Sequence, residues 1–436
     1  AVYEVDAVGQ PQRLVAERDP VPGAEVHLTL DARIQHVAEV ALRQAISGRN
    51  DGSGAVVVMD VTNGDVLALA SEPSCDPNDW VNGFTAEQWA MAQNSPGLPL
   101  LNKAIAGAYP PGSVFKIVSA CAALETTGLR LSETSYCQGR IYVGRRREPF
   151  RCWAADQGGH GAVNLLEAIA RSCNVYFYDC VLHRGLDPDR IAEYARHFGL
   201  GETTGLGLPG EVAGEVPSPK FSFNITGQPW RLGNSLNFVI GQDRLTVTPL
   251  QMSVACAAIA NGGRVLTPNL VRRIRWPAYL RRRDTVNELG RSRPLGIRPE
   301  TLAIVRQGMR LAVTSEHGTA RALRNLPVSC AGKTGSAQYR PGKKTHAWFI
   351  CFAPYEEPRY SVSVFVYGGG AGGEVAAPVA AEVLRALFTK PGSDDPYPLP
   401  EPMNPETVAR ERAKRIAEAK AWAEARRAKS DKRAAE

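Results

Sequence analysis

Strand signals at opposite ends of the chain set the strongest constraint on its fold. Residues 55–60 and 66–70 are rich in apolar and β-branched side chains and flank Thr62-Asn63-Gly64-Asp65. Asn-Gly between such runs marks a hairpin, because both residues tolerate positive φ. Far downstream, residues 330–338, 347–353 and 360–367 read as three further strands, the last strongly alternating. A lone hairpin is marginal in water. The early pair is therefore expected to join the late strands in one antiparallel sheet covered by the intervening helices, an α/β fold of the α+β kind.

Helix signals fill the middle. Asp31 precedes Ile34, Val37, Ala41 and Ala45 at near-helical spacing, and Asn164 with Glu167 forms a capping pattern. Thr248-Pro249 opens a helix that Gly262-Gly263 closes, and residues 299–313 read as another. Residues 100–129 read as helix-forming, interrupted by Tyr109-Pro110-Pro111-Gly112. Residues 131–161 are turn-rich and include Arg145-Arg146-Arg147, while Arg272, Arg273, Arg275 and Arg281-Arg282-Arg283 read as a solvated loop. Residues 391–405 are a Pro/Asp/Ser linker, and residues 406–436, nearly all Ala, Arg, Lys and Glu, are expected to form a solvated helical tail.

Composition excludes more than it assigns. A net charge of +7, from 51 basic and 44 acidic residues, is too diffuse to indicate nucleic-acid binding. No apolar run reaches the roughly 18 residues of a membrane helix. The chain begins at Ala1, and it is expected to be a processed piece whose anchor has been removed.

Three short motifs carry the chemistry. Ser113-Val114-Phe115-Lys116 follows Pro-Pro-Gly at the start of a helix, placing a hydroxyl one turn from an amine. Burial would lower the pKa of that amine and make it a general base beside a nucleophile. Ser172-Cys173-Asn174 supplies a second hydroxyl and an amide. Lys333-Thr334-Gly335-Ser336, on a late strand, combines a cation with two hydroxyls to make a carboxylate cradle, and Gly335 allows close backbone approach. Each motif alone is weak. In this order they are the signature of penicillin-binding proteins and serine β-lactamases.

Other stretches, among them Leu28-Thr29-Leu30-Asp31, residues 74–78, residues 158–165, Asn174-Val175-Tyr176-Phe177-Tyr178, residues 248–263 and residues 348–354, narrow the resemblance. The chain resembles the transpeptidase domain of class B penicillin-binding proteins, most of all the elongation-type penicillin-binding protein 2. The resemblance covers residues 28–390. It implies that residues 1–27 are the remnant of an N-terminal pedestal domain and residues 391–436 a linker and charged tail. One departure is Ile240-Gly241-Gln242-Asp243, where the family usually has glycine at the last position.

The resemblance implies a peptidoglycan D,D-transpeptidase of the penicillin-binding, serine β-lactamase-like fold. Ser113 would attack the D-Ala-D-Ala carbonyl, Lys116 would take its proton, and Ser172 would pass it to the leaving amine while Lys333 sets the local potential. Asn174 would hold a substrate amide, and Thr334 and Ser336 the terminal carboxylate. The backbone N–H groups of Ser113 and Ser336 would form an oxyanion hole. No catalytic cofactor is implied. Expected partners are stem peptides, β-lactams, a membrane-embedded glycan polymerase and rod-complex scaffold proteins, with the domain in the periplasm on the inner membrane. A division-type penicillin-binding protein, a β-lactamase and a non-catalytic β-lactam sensor are the alternatives.

Nine cysteines deny a complete disulfide framework. Cys137, Cys152, His160 and Cys173 form a possible structural zinc set, although they lack the close Cys-x-x-Cys pair of zinc fingers. Asp156 is a substitute ligand. A Cys137–Cys152 disulfide and scattered buried thiols remain as the other readings.

Overall fold

The computed structural model describes residues 2–7, 11–16, 21–49, 52–144, 148–286, 290–338 and 344–389, together with Arg410, Ala413 and Ala417. The arginine run 145–147 and, apart from those last three residues, the tail 391–436 lie outside the described residues. Two compact units emerge: Ala1–Thr29 with Val271–Glu288, and Leu30–Leu270 with Leu289–Glu436.

In the larger unit, strands β1 (Gly54–Asp60), β2 (Val66–Glu72), β3 (Ala331–Ala337), β4 (His346–Ala353) and β5 (Tyr360–Val366) form one antiparallel sheet in the order β3-β4-β5-β1-β2. The early hairpin meets the late strands through β1 and β5, with Tyr360 opposite Asp60 and Val366 opposite Gly54. That is the sheet expected from sequence. Strand β3, which carries Lys333 to Ser336, lies at its edge.

The helices that position the site are α1 (Ala32–Ile46), α2 (Lys116–Thr126), α3 (Leu165–Ala170), α4 (Asn174–Leu182), α5 (Pro249–Ala260), α6 (Pro299–Thr314) and α7 (Gly372–Phe388). Strand β4 is buried along its whole length, which explains its unbroken apolar sequence. Trp348, Ile350 and Phe352 pack in one core with α2 and α5, while Phe349, Cys351 and Ala353 pack in another with α1 and α7. Helix α5 is buried at every position and therefore shows no amphipathic stripe.

Several local expectations hold. Asp31 accepts from the backbone of Arg33 and Ile34 to cap α1, and Asn164 and Glu167 form a reciprocal capping box on α3. Residues 100–109 differ from the helix expected, since they form turns. The turns wrap the buried Lys103 ammonium, which donates to the carbonyls of Pro73 (3.0 Å), Leu98 (2.9 Å) and Leu101 (3.3 Å). A helix would consume its carbonyls internally.

The smaller unit contains a hairpin of Val2–Val5 with Pro11–Ala16 and a sheet of Glu25–Leu28, Val271–Arg275 and Thr285–Val286. Residues 271–275 are thus a strand and not the solvated loop expected. Two of its arginines are held by opposite charge: Arg273 pairs with Asp284, and Arg275 with Glu25 at 3.5 Å. Among the described residues no helix is long and apolar enough to cross a membrane.

Thr248 illustrates how sequence sets one of these helices. Its hydroxyl accepts from Gln251 N at 3.2 Å, and Gln251 Oε1 accepts from Thr248 N at 2.8 Å. Both residues are buried, so water cannot replace either bond. Thr248→Ala is expected to lower unfolding free energy by about 1–2 kcal/mol in denaturant titration, and Thr248→Ser to recover most of it.

Candidate active site

Segments far apart in sequence bring the three motifs together. Ser113 lies on a 3₁₀ turn, Gly112–Phe115, which leads into α2 at Lys116. The expected α-helical first turn is therefore a 3₁₀ turn, whose three-residue repeat eclipses positions i and i+3 and sets Ser113 over Lys116. Trp348 of β4 anchors the preceding loop by donating from Nε1 to Pro110 O at 2.8 Å. Ser113 opens on a cleft of about 920 Å³ shared with Ser336, Asn174, Arg151, Cys152 and Asp243.

Ser172 follows α3 in a Schellman turn: Ser172 N donates to Ile169 O (3.3 Å) and Cys173 N to Ala168 O (2.9 Å). The left-handed position of such a turn usually holds glycine, yet Ser172 adopts it at φ 55°. A side chain there costs about 1–2 kcal/mol. The surrounding packing sustains that conformation and aims the hydroxyl between two lysines.

Lys116 and Lys333 are both fully buried. Lys116 Nζ donates to Ser172 O (2.8 Å) and Asn174 Oδ1 (2.6 Å) and lies 3.4 Å from Ser172 Oγ. Lys333 Nζ donates to Ser172 Oγ (2.8 Å) and Thr334 O (3.0 Å). Burial lowers the pKa of Lys116 to about 8, against the opposing electrostatic pull of Cys152, Cys173 and Cys137. Burial, with the charge of Lys116 beside it, holds Lys333 well below the ordinary lysine range. Two ammonium groups on one hydroxyl repel, so a neutral amine adjoining Ser172 is the favoured state. A neutral amine there can accept a proton from a hydroxyl and return it.

Asn174 is more engaged than its sequence context implies. Its Oδ1 holds Lys116 and its Nδ2 donates to Arg151 O at 2.9 Å. Thr334 Oγ1 lies 2.7 Å from Thr319 Oγ1, and Ser336 Oγ accepts from Gly372 N at 3.3 Å. The open side of Gly335 faces Pro111 O, where a Cβ would come within 2.9 Å. The close approach that glycine permits here is thus to the nucleophile's own loop. Asp243 takes the left-handed conformation of the glycine it replaces (φ 67°), and its Oδ1 accepts from Asn234 Nδ2 at 3.0 Å. Thr319 and Gly372 are marked by no local pattern, and Trp348 opens a stretch that carries the resemblance but has no role in it; all three act through partners distant in sequence.

Beside this centre, Cys137, Cys152, His160 and Cys173 are all buried, and their ligand atoms lie within 4.8 Å of one another. His160 Nδ1 is 3.6 Å from Cys137 Sγ and 3.5 Å from Cys152 Sγ. A tetrahedral zinc with these ligand types has S···N edges of about 3.5–3.6 Å, so the residues fit the ion. All nine cysteines are free thiols, and no disulfide joins Cys137 to Cys152. Asp156 stands apart, exposed and paired with Arg151 at 2.6 Å. Hydrogen bonds from Cys137 and Cys173 pull the Cys152 thiol far below its usual range. Burial opposes charging of His160, but hydrogen bonds to Cys137 and Cys152 outweigh it and raise its pKa to about 8.

The family described as the penicillin binding protein transpeptidase domain matches residues 54–385. The chain belongs to the penicillin-binding protein transpeptidase family. A curated relative, the peptidoglycan D,D-transpeptidase MrdA of Haemophilus influenzae, is 31% identical over 396 residues, covering 87% of this chain. The match takes in 59% of that relative, so the chain spans about three fifths of its length. Among solved structures, Pseudomonas aeruginosa PBP2 in complex with WCK 5153 aligns with a TM-score of 0.74 at 33% identity, covering 88% of this chain and 79% of that one. The complex between PBP2 and MreC from Helicobacter pylori aligns with a TM-score of 0.74 at 30% identity, covering 88% and 68%. The α+β fold expected from sequence is that of the family.

Gly372 tests how tightly the transpeptidase-family site is built. A Cβ there would meet Trp348 O at 2.2 Å and Gly335 O at 2.3 Å, both backbone atoms. Gly372→Ala is expected to cost roughly 3 kcal/mol in urea unfolding, because neither neighbour can turn away.

Proposed function

We propose that this chain carries the catalytic centre of a peptidoglycan D,D-transpeptidase acting in cell elongation. The observation that carries the reading is the convergence of two buried lysines on Ser172 beside the cleft that holds Ser113. Ser113 attacks the carbonyl between the two D-alanines of a donor stem peptide, and neutral Lys116 takes its proton. Backbone N–H groups of Ser113 and Ser336 stabilise the oxyanion. Ser172, bonded to both lysines, returns the proton to the leaving D-alanine amine as the C–N bond breaks. Asn174 orients Lys116 and meets the donor amide, while Thr334 and Ser336 bind the terminal carboxylate and Lys333 holds Ser172 Oγ beside them. The amine of a second stem peptide then displaces Ser113 from the acyl-enzyme, forming the crosslink. β-Lactams enter as donor mimics.

The PBP2–MreC complex and a similar peptidoglycan synthase complex that coordinates polymerization and crosslinking support partners of the rod type, a membrane-embedded glycan polymerase and a scaffold protein. By the family resemblance the domain would sit in the periplasm on the inner membrane. The experiment is incubation with benzylpenicillin followed by intact-mass measurement. A long-lived adduct, absent from Ser113→Ala, is expected. Because the base works as neutral amine, acylation should rise about tenfold per pH unit below about 8 and level off above it. Rapid return to free mass with drug consumed would instead indicate a β-lactamase.

Cys137, Cys152, His160 and Cys173 would hold a structural zinc ion through three thiolates and His160 Nδ1. The ion would neutralise thiolate charge and tie Cys173, between Ser172 and Asn174, to the turn-rich segment around residues 137–160. Protein purified without added metal or chelator is expected to contain about one zinc per chain and to lose thermal stability on chelation. Fewer than about 0.2 equivalents would sink the idea.

A further inference from the structure

Thr319 lies between α6 and β3, away from all three motifs in sequence, yet it touches two of them. The Schellman turn after α3 leaves Ala170 O without an intrahelical donor. Thr319 supplies two, its N–H at 3.3 Å and its Oγ1 at 3.2 Å. The same Oγ1 lies 2.7 Å from Thr334 Oγ1. Gly373 of α7 packs so closely on Thr319 O that a Cβ would come within 2.5 Å, and Ala320 N is tied to Ala312 O at 2.9 Å. The backbone is held, and the hydroxyl proton is what remains free to turn.

A count of protons follows. Each threonine hydroxyl has one proton to donate. While Thr319 donates to Ala170 O, the short contact must be Thr334 donating to Thr319. Thr334 then has no proton to offer a carboxylate. If Thr319 turns its proton onto Thr334 Oγ1, Thr334 is released to donate outward, and Ala170 O keeps the Thr319 N–H. The exchange leaves no buried group unpaired, so it costs little.

We infer that Thr319 is a positioning residue whose hydroxyl reverses its donor on ligand binding, turning Thr334 into a carboxylate donor and linking that event to the turn that holds Ser172. The inference rests on the transpeptidase reading above, in which Thr334 meets the substrate carboxylate. A chain of two hydroxyls ending on an anion also polarises each bond in the same sense.

The test compares acylation of the whole chain by benzylpenicillin and by its methyl ester, whose carboxylate is blocked. The readout is the ratio of the two second-order rate constants. Without the Thr319 hydroxyl the Thr334 proton is unclaimed, but nothing donates to Thr334 Oγ1 to aim and polarise it. Thr319→Val and Thr319→Ala are therefore each expected to lower the acid-to-ester ratio about fivefold, and Thr319→Ser to keep it within about twofold of wild type. The alanine variant adds no volume and guards against a valine that misfolds. An unchanged ratio in Thr319→Ala, even with both rates reduced, would show a packing role only and overturn the inference, as would a raised ratio, which would show that Thr319 only competes for the Thr334 proton, or a serine variant that fails to restore the ratio. If wild type is acylated by neither compound, the transpeptidase reading falls and takes the inference with it.

Discussion

Two buried amines facing one hydroxyl are the constraint around which the larger unit is arranged. Neither lysine could remain charged and unpaired in such a place without a large desolvation cost. Lys116 is met by a carbonyl and an amide oxygen, and Lys333 by a hydroxyl and a carbonyl. These partners come from α4, the Schellman turn and the edge strand β3. The sheet and its flanking helices hold three chain segments in register so that both amines are dry, bonded and inclined to lose a proton.

The turn at Ser172 is the counterpart of that arrangement. A residue in left-handed conformation is conformationally costly, and here it places the hydroxyl that both lysines need. Cys173, the next residue, belongs to the sulfur–imidazole cluster, while Ala170, two residues earlier, is capped by Thr319. The strained turn is thus gripped on both sides by groups remote in sequence. Its position depends on the residues that supply Cys137, Cys152 and His160 at one end and on the loop before β3 at the other.

Much of this was legible in the residues. Asn63-Gly64, the strand runs and the capping patterns at Asp31, Asn164 and Thr248 identified their elements, because each depends on neighbours within a few positions. Readings failed where a distant partner overrode local preference. Residues 100–109 form turns around the buried Lys103 ammonium, which takes carbonyls from Pro73, Leu98 and Leu101, and pairing with residues 25–28 drew residues 271–275 into a strand. Asp243 shows a milder case, in which a non-glycine residue keeps the backbone conformation through a side-chain bond to Asn234.

The sequence by itself determined the kinds and order of reactive groups: Ser113 and Lys116 on one turn, Ser172 and Asn174 on the next motif, and Lys333 to Ser336 on a strand. It also determined the four candidate metal ligands, since donor chemistry is a property of residue type. Only the tertiary structure decided how those groups share protons. It placed Lys116 and Lys333 on the same oxygen, occupied both atoms of the Asn174 amide and turned the open side of Gly335 toward Pro111. It also brought Thr319 between Thr334 and Ala170. Hydrogen-bond partners are set by distances of about 3 Å across segments far apart in the chain, and no local pattern encodes such distances.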